Sequence, residues 1–181
     1  DAAGPLGPTM NAAGAIAFRA STAGGGEGIF LCDGGVVTTI AGTGERFARF
    51  HGLPVVAGDG TVVFRADVEG GGEGVYLGDG TTVTAIAETG RAFGGFGFFP
   101  FANEPGVVAF CASPQDGGAA VFTAEDGELA VAVDSSGPFE SFRGALLDRA
   151  GRLVFYATPR GGEPGLFAGP DPEADCLLAV G

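Results

Sequence analysis

The chain has 181 residues, 45% of them hydrophobic, which is enough for one domain with a sizeable core and argues against disorder. Its net charge is −13, with 22 acidic residues against nine basic ones, all arginine. An acidic surface repels phosphates and anionic lipid, so neither nucleic acid nor direct membrane insertion is expected, and no run approaches the ~20 apolar residues of a membrane helix.

The first segment, Asp1-Ala-Ala-Gly4-Pro5-Leu6, starts without methionine or a visible signal peptide, which suggests a processed chain or a fragment. Pro5 and Pro8 cannot donate ladder hydrogen bonds, so Pro5, Leu6 and Pro8 are expected in an edge strand or an extended clasp. A tight turn, Asn11-Ala-Ala-Gly14, feeds a strand carrying Phe18. The glycine run Gly24 to Gly28 turns into a second strand, Gly28-Ile29-Phe30, and Asp33-Gly34 turns into a third, Val37 to Ala41. Asp-Gly between β-rich runs is a hairpin signal, because a type I′ turn needs two residues with positive φ. The aromatic connector Phe47-x-x-Phe50 follows, with room for a fourth strand.

This succession then recurs. Phe18, Phe64, Phe110 and Phe155 are spaced 46, 46 and 45 residues apart. Gly74-Val75-Tyr76, Ala120-Val121-Phe122 and Gly165-Leu166-Phe167 repeat the second strand. Asp79-Gly80 and Asp126-Gly127 repeat the turn, which Pro170-Asp171-Pro172 replaces in the last copy. The third strand recurs at Val83 to Ala87, Leu129 to Val133 and Leu177 to Val180, and the connector at Phe93-x-x-Phe96 and Phe139-x-x-Phe142. A single domain of four units follows, with residues 8–52, 53–99, 100–144 and 145–181, and with 1–10 completing the last. A unit of about 45 residues with three or four antiparallel strands points to an all-β, four-repeat β-propeller-like domain. An open stack of sheets or a β-sandwich is the alternative. All four anchoring phenylalanines are expected to be buried.

Asn11 to Phe18 and Asn103 to Phe110 resemble the tandem NxxGxxAF repeat of bacterial surface and secreted proteins. The pattern is also similar to the WD40-like blades of TolB-type propellers. The resemblance covers nearly the whole chain. Ala57 and Asp148 depart from its first Asn, and Val63 and Val154 from its Ala. It implies an extracellular or cell-surface module and carries no ligand or reaction, because propellers host many functions.

No residue pattern assembles a catalytic site. His51 is the only histidine, no Gly-x-Ser-x-Gly is present, and His51 reads as a surface-loop residue. The glycine runs at 24–28 and 70–74 lack the Gly-Lys-Ser/Thr ending of a phosphate loop and read as hairpin turns. Asp33, Asp79 and Asp126, with Glu27, Glu73 and Glu163, offer oxygen ligands suited to calcium, but no compact Asp-x-Asp-x-Asp loop, so no cofactor is expected beyond a weak calcium option. Cys32, Cys111 and Cys176 lack zinc spacing and leave three outcomes open: one disulfide with a spare thiol, an intermolecular bridge, or three buried thiols. Phe93 and Phe96 have counterparts and read as core, whereas Phe98, Phe99 and Phe101 are the candidate interaction surface, for a glycan or a protein. The expected function is a non-catalytic extracellular structural or interaction module. Its partner is itself or another surface protein; residues 1–10 either close the ring within one chain, the favoured outcome, or complete the last unit of a neighbouring copy and so build a fibre. The alternative is a carbohydrate- or calcium-binding propeller.

Overall fold

The computed structural model describes residues 7–90 and 92–179, which are all β, turn and loop. Four antiparallel sheets follow one another along the chain, each a simple meander. The first contains β1 (Thr9–Met10), β2 (Ile16–Ser21), β3 (Glu27–Asp33) and β4 (Val36–Gly42). The second contains β5 (Phe47–Val56), β6 (Val62–Val68), β7 (Glu73–Gly78) and β8 (Val83–Glu88). In the third, β9 (Phe93–Phe96) and β10 (Phe101–Ala102) both pair with β11 (Val108–Pro114), which continues to β12 (Ala120–Glu125) and β13 (Glu128–Asp134). The fourth contains β14 (Phe139–Leu147), β15 (Leu153–Pro159), β16 (Gly165–Phe167) and β17 (Cys176–Ala179).

The sheets cut the repeat at another phase than the units 8–52, 53–99, 100–144 and 145–181. The Phe-x-x-Phe element is not a connector trailing one unit but the first strand of the next sheet: β5 pairs with β6, and Phe47 and Phe50 meet Phe64 of that sheet edge-on. Thr9 and Met10 pair with Ala17 and Ile16 of the first sheet, while the fourth sheet has four strands of its own. Residues 1–6, including Pro5 and Leu6, lie outside the described residues, and Pro8 is exposed.

The turns follow from chemistry readable in the chain. Each first hairpin is closed by Gly14, Gly60, Gly106 or Gly151, whose N–H donates to the carbonyl of residue 11, 57, 103 or 148, three residues back. All four glycines have φ between 79° and 94°, which a Cβ would strain. Asp126 and Gly127 both have positive φ, as a type I′ turn requires, whereas in the first sheet Gly34 and Gly35 occupy those positions.

Three cores fill the three spaces between consecutive sheets. In each, an aromatic face meets a face of small and branched residues. Phe47, Phe50, Phe64 and Tyr76 of the second sheet pack on Ala17, Ile29 and Ala41 of the first. Phe93, Phe110 and Phe122 of the third pack on Val63, Val75 and Ala87 of the second. Phe139, Phe155 and Phe167 of the fourth pack on Ala109, Cys111 and Val121 of the third. A residue between two such layers has both faces covered, hence the nearly continuous apolar strands. Among the described residues no core cluster joins the fourth sheet to the first.

One expectation fails here. Phe64, Phe110 and Phe155 are buried, but Phe18 is partly exposed, because its side of the first sheet has no described sheet to cover it.

Candidate functional site

Polar side chains gather chiefly where consecutive sheets meet. Asn11 and Asn103 are the only buried polar residues among those described. Each accepts from a backbone N–H four residues on, Ala15 or Val107, and donates Nδ2 to the next sheet's equivalent residue, at 2.8 Å to Ala57 O and 3.0 Å to Asp148 O. The NxxG asparagine therefore shapes its own turn and fixes the register of the sheet that follows. Ala57 cannot make this link, and there Gly58 N–H donates to Glu104 O at 3.0 Å instead.

A second link lies at the strand carrying Phe18 or Phe64. Arg19 Nη1 donates to Phe50 O, and Arg65 Nη1 to Gly97 O, each at 2.6 Å. Arg65 also donates Nε to Glu73 Oε2 at 2.9 Å and pairs with it through Nη2, while Phe96 N–H donates to Glu73 Oε1 at 3.0 Å. Register places His51 opposite Arg65 in β5 and β6, and its Nε2 lies 2.7 Å from Asp67 Oδ1. His51 is thus a half-buried strand residue with a carboxylate partner, not a surface-loop residue.

His51, Asp67 and Glu73 bring their ligand atoms within 4.8 Å of one another. Three such groups are the start of a metal site, but Arg65 and the Phe96 amide already occupy both Glu73 oxygens, and a cation would sit beside the guanidinium. The group fits a cross-link between the second and third sheets better than a cation site. A serine-type triad would need a nucleophile on the imidazole, and among the described residues the only side-chain hydrogen bond of His51 is to Asp67.

The strands that open each sheet converge. A pocket of about 240 Å³ is lined by Thr9, Met10 and Asn11, by Val55 and Val56, by Phe101 to Glu104, and by Leu147 and Arg149, so all four sheets contribute. Beside it Ala12 N–H donates to Glu104 Oε1 at 2.7 Å, linking the first sheet's turn to the third's.

The other candidates are dispersed. Phe98 is 72% exposed, and its ring meets Phe99 edge-on. Phe99 lies against Gly52, where a Cβ would come within 2.9 Å of Phe99 Cβ, so Gly52 is required by this close approach. Phe101 is partly buried between the second and third cores. The loop 97–100 that carries Phe98 and Phe99 interrupts the first strand of the third sheet. Asp79 accepts from the amides of Thr81 and Thr82, which hold its carboxyl below the usual range, and amides or hydroxyls do the same for Asp134, Asp148 and Asp171. The glycine runs are hairpin turns between β2 and β3 and between β6 and β7. The three cysteines are free: Cys111 is buried, Cys32 partly exposed and Cys176 exposed, so within the chain no disulfide joins them and they are not three buried thiols. Burial pushes the Cys111 thiol up to about 12.

Two apolar surfaces were not foreseen as sites. The outer face of the first sheet presents Met10, Ile16, Phe18, Phe30, Cys32 and Val37, with Met10 69% and Val37 58% exposed. The outer face of the fourth presents Leu146, Val154, Tyr156, Leu166 and Leu178, with Leu146 48% and Leu178 57% exposed. Neither a protein-family model nor a curated protein matches this chain.

Proposed function

We propose that this chain is a non-catalytic interaction module of the cell exterior, its four sheets acting as blades of a propeller-like array. The observation that carries the reading is the use of its polar groups. Asn11, Asn103, Arg19, Arg65 and Glu73 each make a hydrogen bond that holds one sheet to the next. Among the described residues, six of the nine exposed large hydrophobics lie in the first and fourth sheets, at the two ends of the array. The convergence of the opening strands on one pocket supports a blade-like arrangement, and the resemblance to NxxGxxAF repeats supports the cell surface as the place of action. The partner is the chain itself or another surface protein.

A second reading, a ligand-binding propeller, is favoured by that same pocket, where Asn103, Glu104 and Arg149 stand among apolar side chains. A glycan array and a calcium titration followed by calorimetry separate the two. Saturable binding of a sugar or of calcium, lost on replacing Glu104 and without any assembly, supports the ligand-binding reading. Assembly without such binding supports the first. A robust hydrolase activity abolished by a single Asp or Glu replacement would overturn both.

A further inference from the structure

We infer that the outer face of the first sheet is the docking surface for the outer face of the fourth sheet of a second copy, so that copies add head to tail. This rests on the interaction-module reading and names its partner. The chain contains its own template for the contact. Three times, an aromatic pair of one sheet covers a branched or small pair of the sheet before it. Phe64 and Tyr76 meet Ala17 and Ile29, Phe110 and Phe122 meet Val63 and Val75, and Phe155 and Phe167 meet Ala109 and Val121. All twelve of these side chains are less than 9% exposed. The equivalent residues left over are Phe18 and Phe30 at one end, and Val154 and Leu166 at the other, and all four are only partly buried. Phe18 and Phe30 are already stacked, with centroids 5.5 Å apart, as Phe110 and Phe122 are at 5.6 Å. The unfilled half at each end is the complement of the other end, and not of itself.

Such a contact is heterologous and need not close, so it propagates. Each copy carries a net charge of −13, which opposes approach, and screening by salt weakens that repulsion more than it weakens apolar contact. Assembly is therefore expected to strengthen with ionic strength.

The test uses the whole chain in sedimentation velocity and light scattering, over a thousandfold concentration range at low and physiological salt. Phe18→Glu blocks the first face and Leu178→Glu the fourth. Val37→Glu and Leu146→Glu repeat the test at more exposed or peripheral positions should either variant fold poorly, and Thr81→Glu, in an exposed turn of the second sheet, serves as a control for the added charge. The wild type is expected to grow in mass with concentration, the control to follow it, and each blocked variant alone to stay at the 17.8 kDa of the monomer. An equimolar mixture of a first-face and a fourth-face variant is expected to stop at a dimer, since each brings one intact face. A blocked variant that still dimerises alone indicates like-to-like faces and overturns the inference, and so does a mixture that stays monomeric while the wild type assembles. So does a wild type monomeric throughout, whether its first and fourth sheets close on each other or remain bare. That last result leaves the interaction-module reading to be decided by the ligand titrations.

Discussion

Replacing Phe64 and Phe18 by alanine, one at a time, measures how differently the structure treats two equivalent residues. The Phe64 ring is fully buried, with the Phe47 and Phe50 rings edge-on at 5.6 Å and the Tyr76 ring stacked at 5.7 Å. Truncating a buried phenylalanine costs about 3–5 kcal/mol, and the loss of three aromatic partners places Phe64→Ala in the upper part of that range. Phe18 has one aromatic partner, Phe30, and is partly exposed. Halving the ~1.5–3 kcal/mol of a full burial and adding one aromatic pair gives about 1–3 kcal/mol for Phe18→Ala. Guanidinium unfolding followed by circular dichroism, at a concentration where both variants are monomeric, reads the difference. With a melting shift of about 2–4 °C per kcal/mol in a chain of this size, Phe64→Ala should melt roughly 10 °C below wild type and Phe18→Ala only a few degrees below. Equal losses would refute the reasoning, because they would mean that the Phe18 face is covered as fully as the Phe64 face.

Other outcomes follow from the links between sheets. Arg65→Ala should destabilise by about 3 kcal/mol, as breaking a mostly buried pair does, and Arg65→Lys should recover little of it, since a single ammonium cannot reach both Glu73 and Gly97 O as the guanidinium fork does. Asn103→Asp should cost about 1–3 kcal/mol in the same assay, because it keeps the acceptor for Val107 N–H but sets an oxygen against Asp148 O. Asp79, Asp134, Asp148 and Asp171 titrate below their ordinary value when folded, so the stability they add is present above the usual carboxylate range and lost as pH falls through their depressed values; a melting temperature followed from pH 6 to 2 should drop there, and less so in Asp79→Ala. A maleimide added to the native protein should label Cys176 first and Cys32 more slowly, and reach Cys111 only in denaturant, as read by intact-mass spectrometry.

The repeat was legible because turn chemistry and aromatic spacing report the same period. Asn11, Gly14, Phe18 and Phe30 recur in phase, and each has a local reason to be where it is. The phase of the sheets was not legible. A strand such as β5 is long and glycine-broken, and only its packing against Phe64 assigns it to the sheet that follows rather than the one before. The pairing of His51 with Asp67, sixteen residues away, was hidden for the same reason: it depends on the register of β5 on β6, which register shifts between Phe47 and Arg49 and between His51 and Val55 displace from any simple count. Phe98 was recognisable as an exception to the period, and its exposure follows from the break between β9 and β10. The partial exposure of Phe18 is a property of position in the array, which the phenylalanine itself does not encode.

The links between sheets also bear on how strongly two copies could hold each other. Aromatic packing recurs at all three internal contacts, but the polar links change from one to the next. The first contact has Asn11 and Arg19, the second Arg65 and Gly58 N–H, and the third Asn103 alone of these, since Cys111 stands where Arg19 and Arg65 stand. A contact of this kind therefore stands without the strand-borne arginine link, the packed faces supplying the energy and the remaining polar links supplying register. The fourth sheet has Tyr156 at the arginine position and Asp148 at the asparagine position, and Asp148 is engaged with the amides of Ala150 and Arg152 in its own turn. A second copy docked there would gain the aromatic packing with no equivalent of either side-chain link. Intermolecular docking also loses translational and rotational freedom, which the connected sheets do not. Head-to-tail association should accordingly be weaker than any internal contact and reversible on dilution, and its register looser, which electron micrographs of the assembled protein would show as variable twist between successive copies.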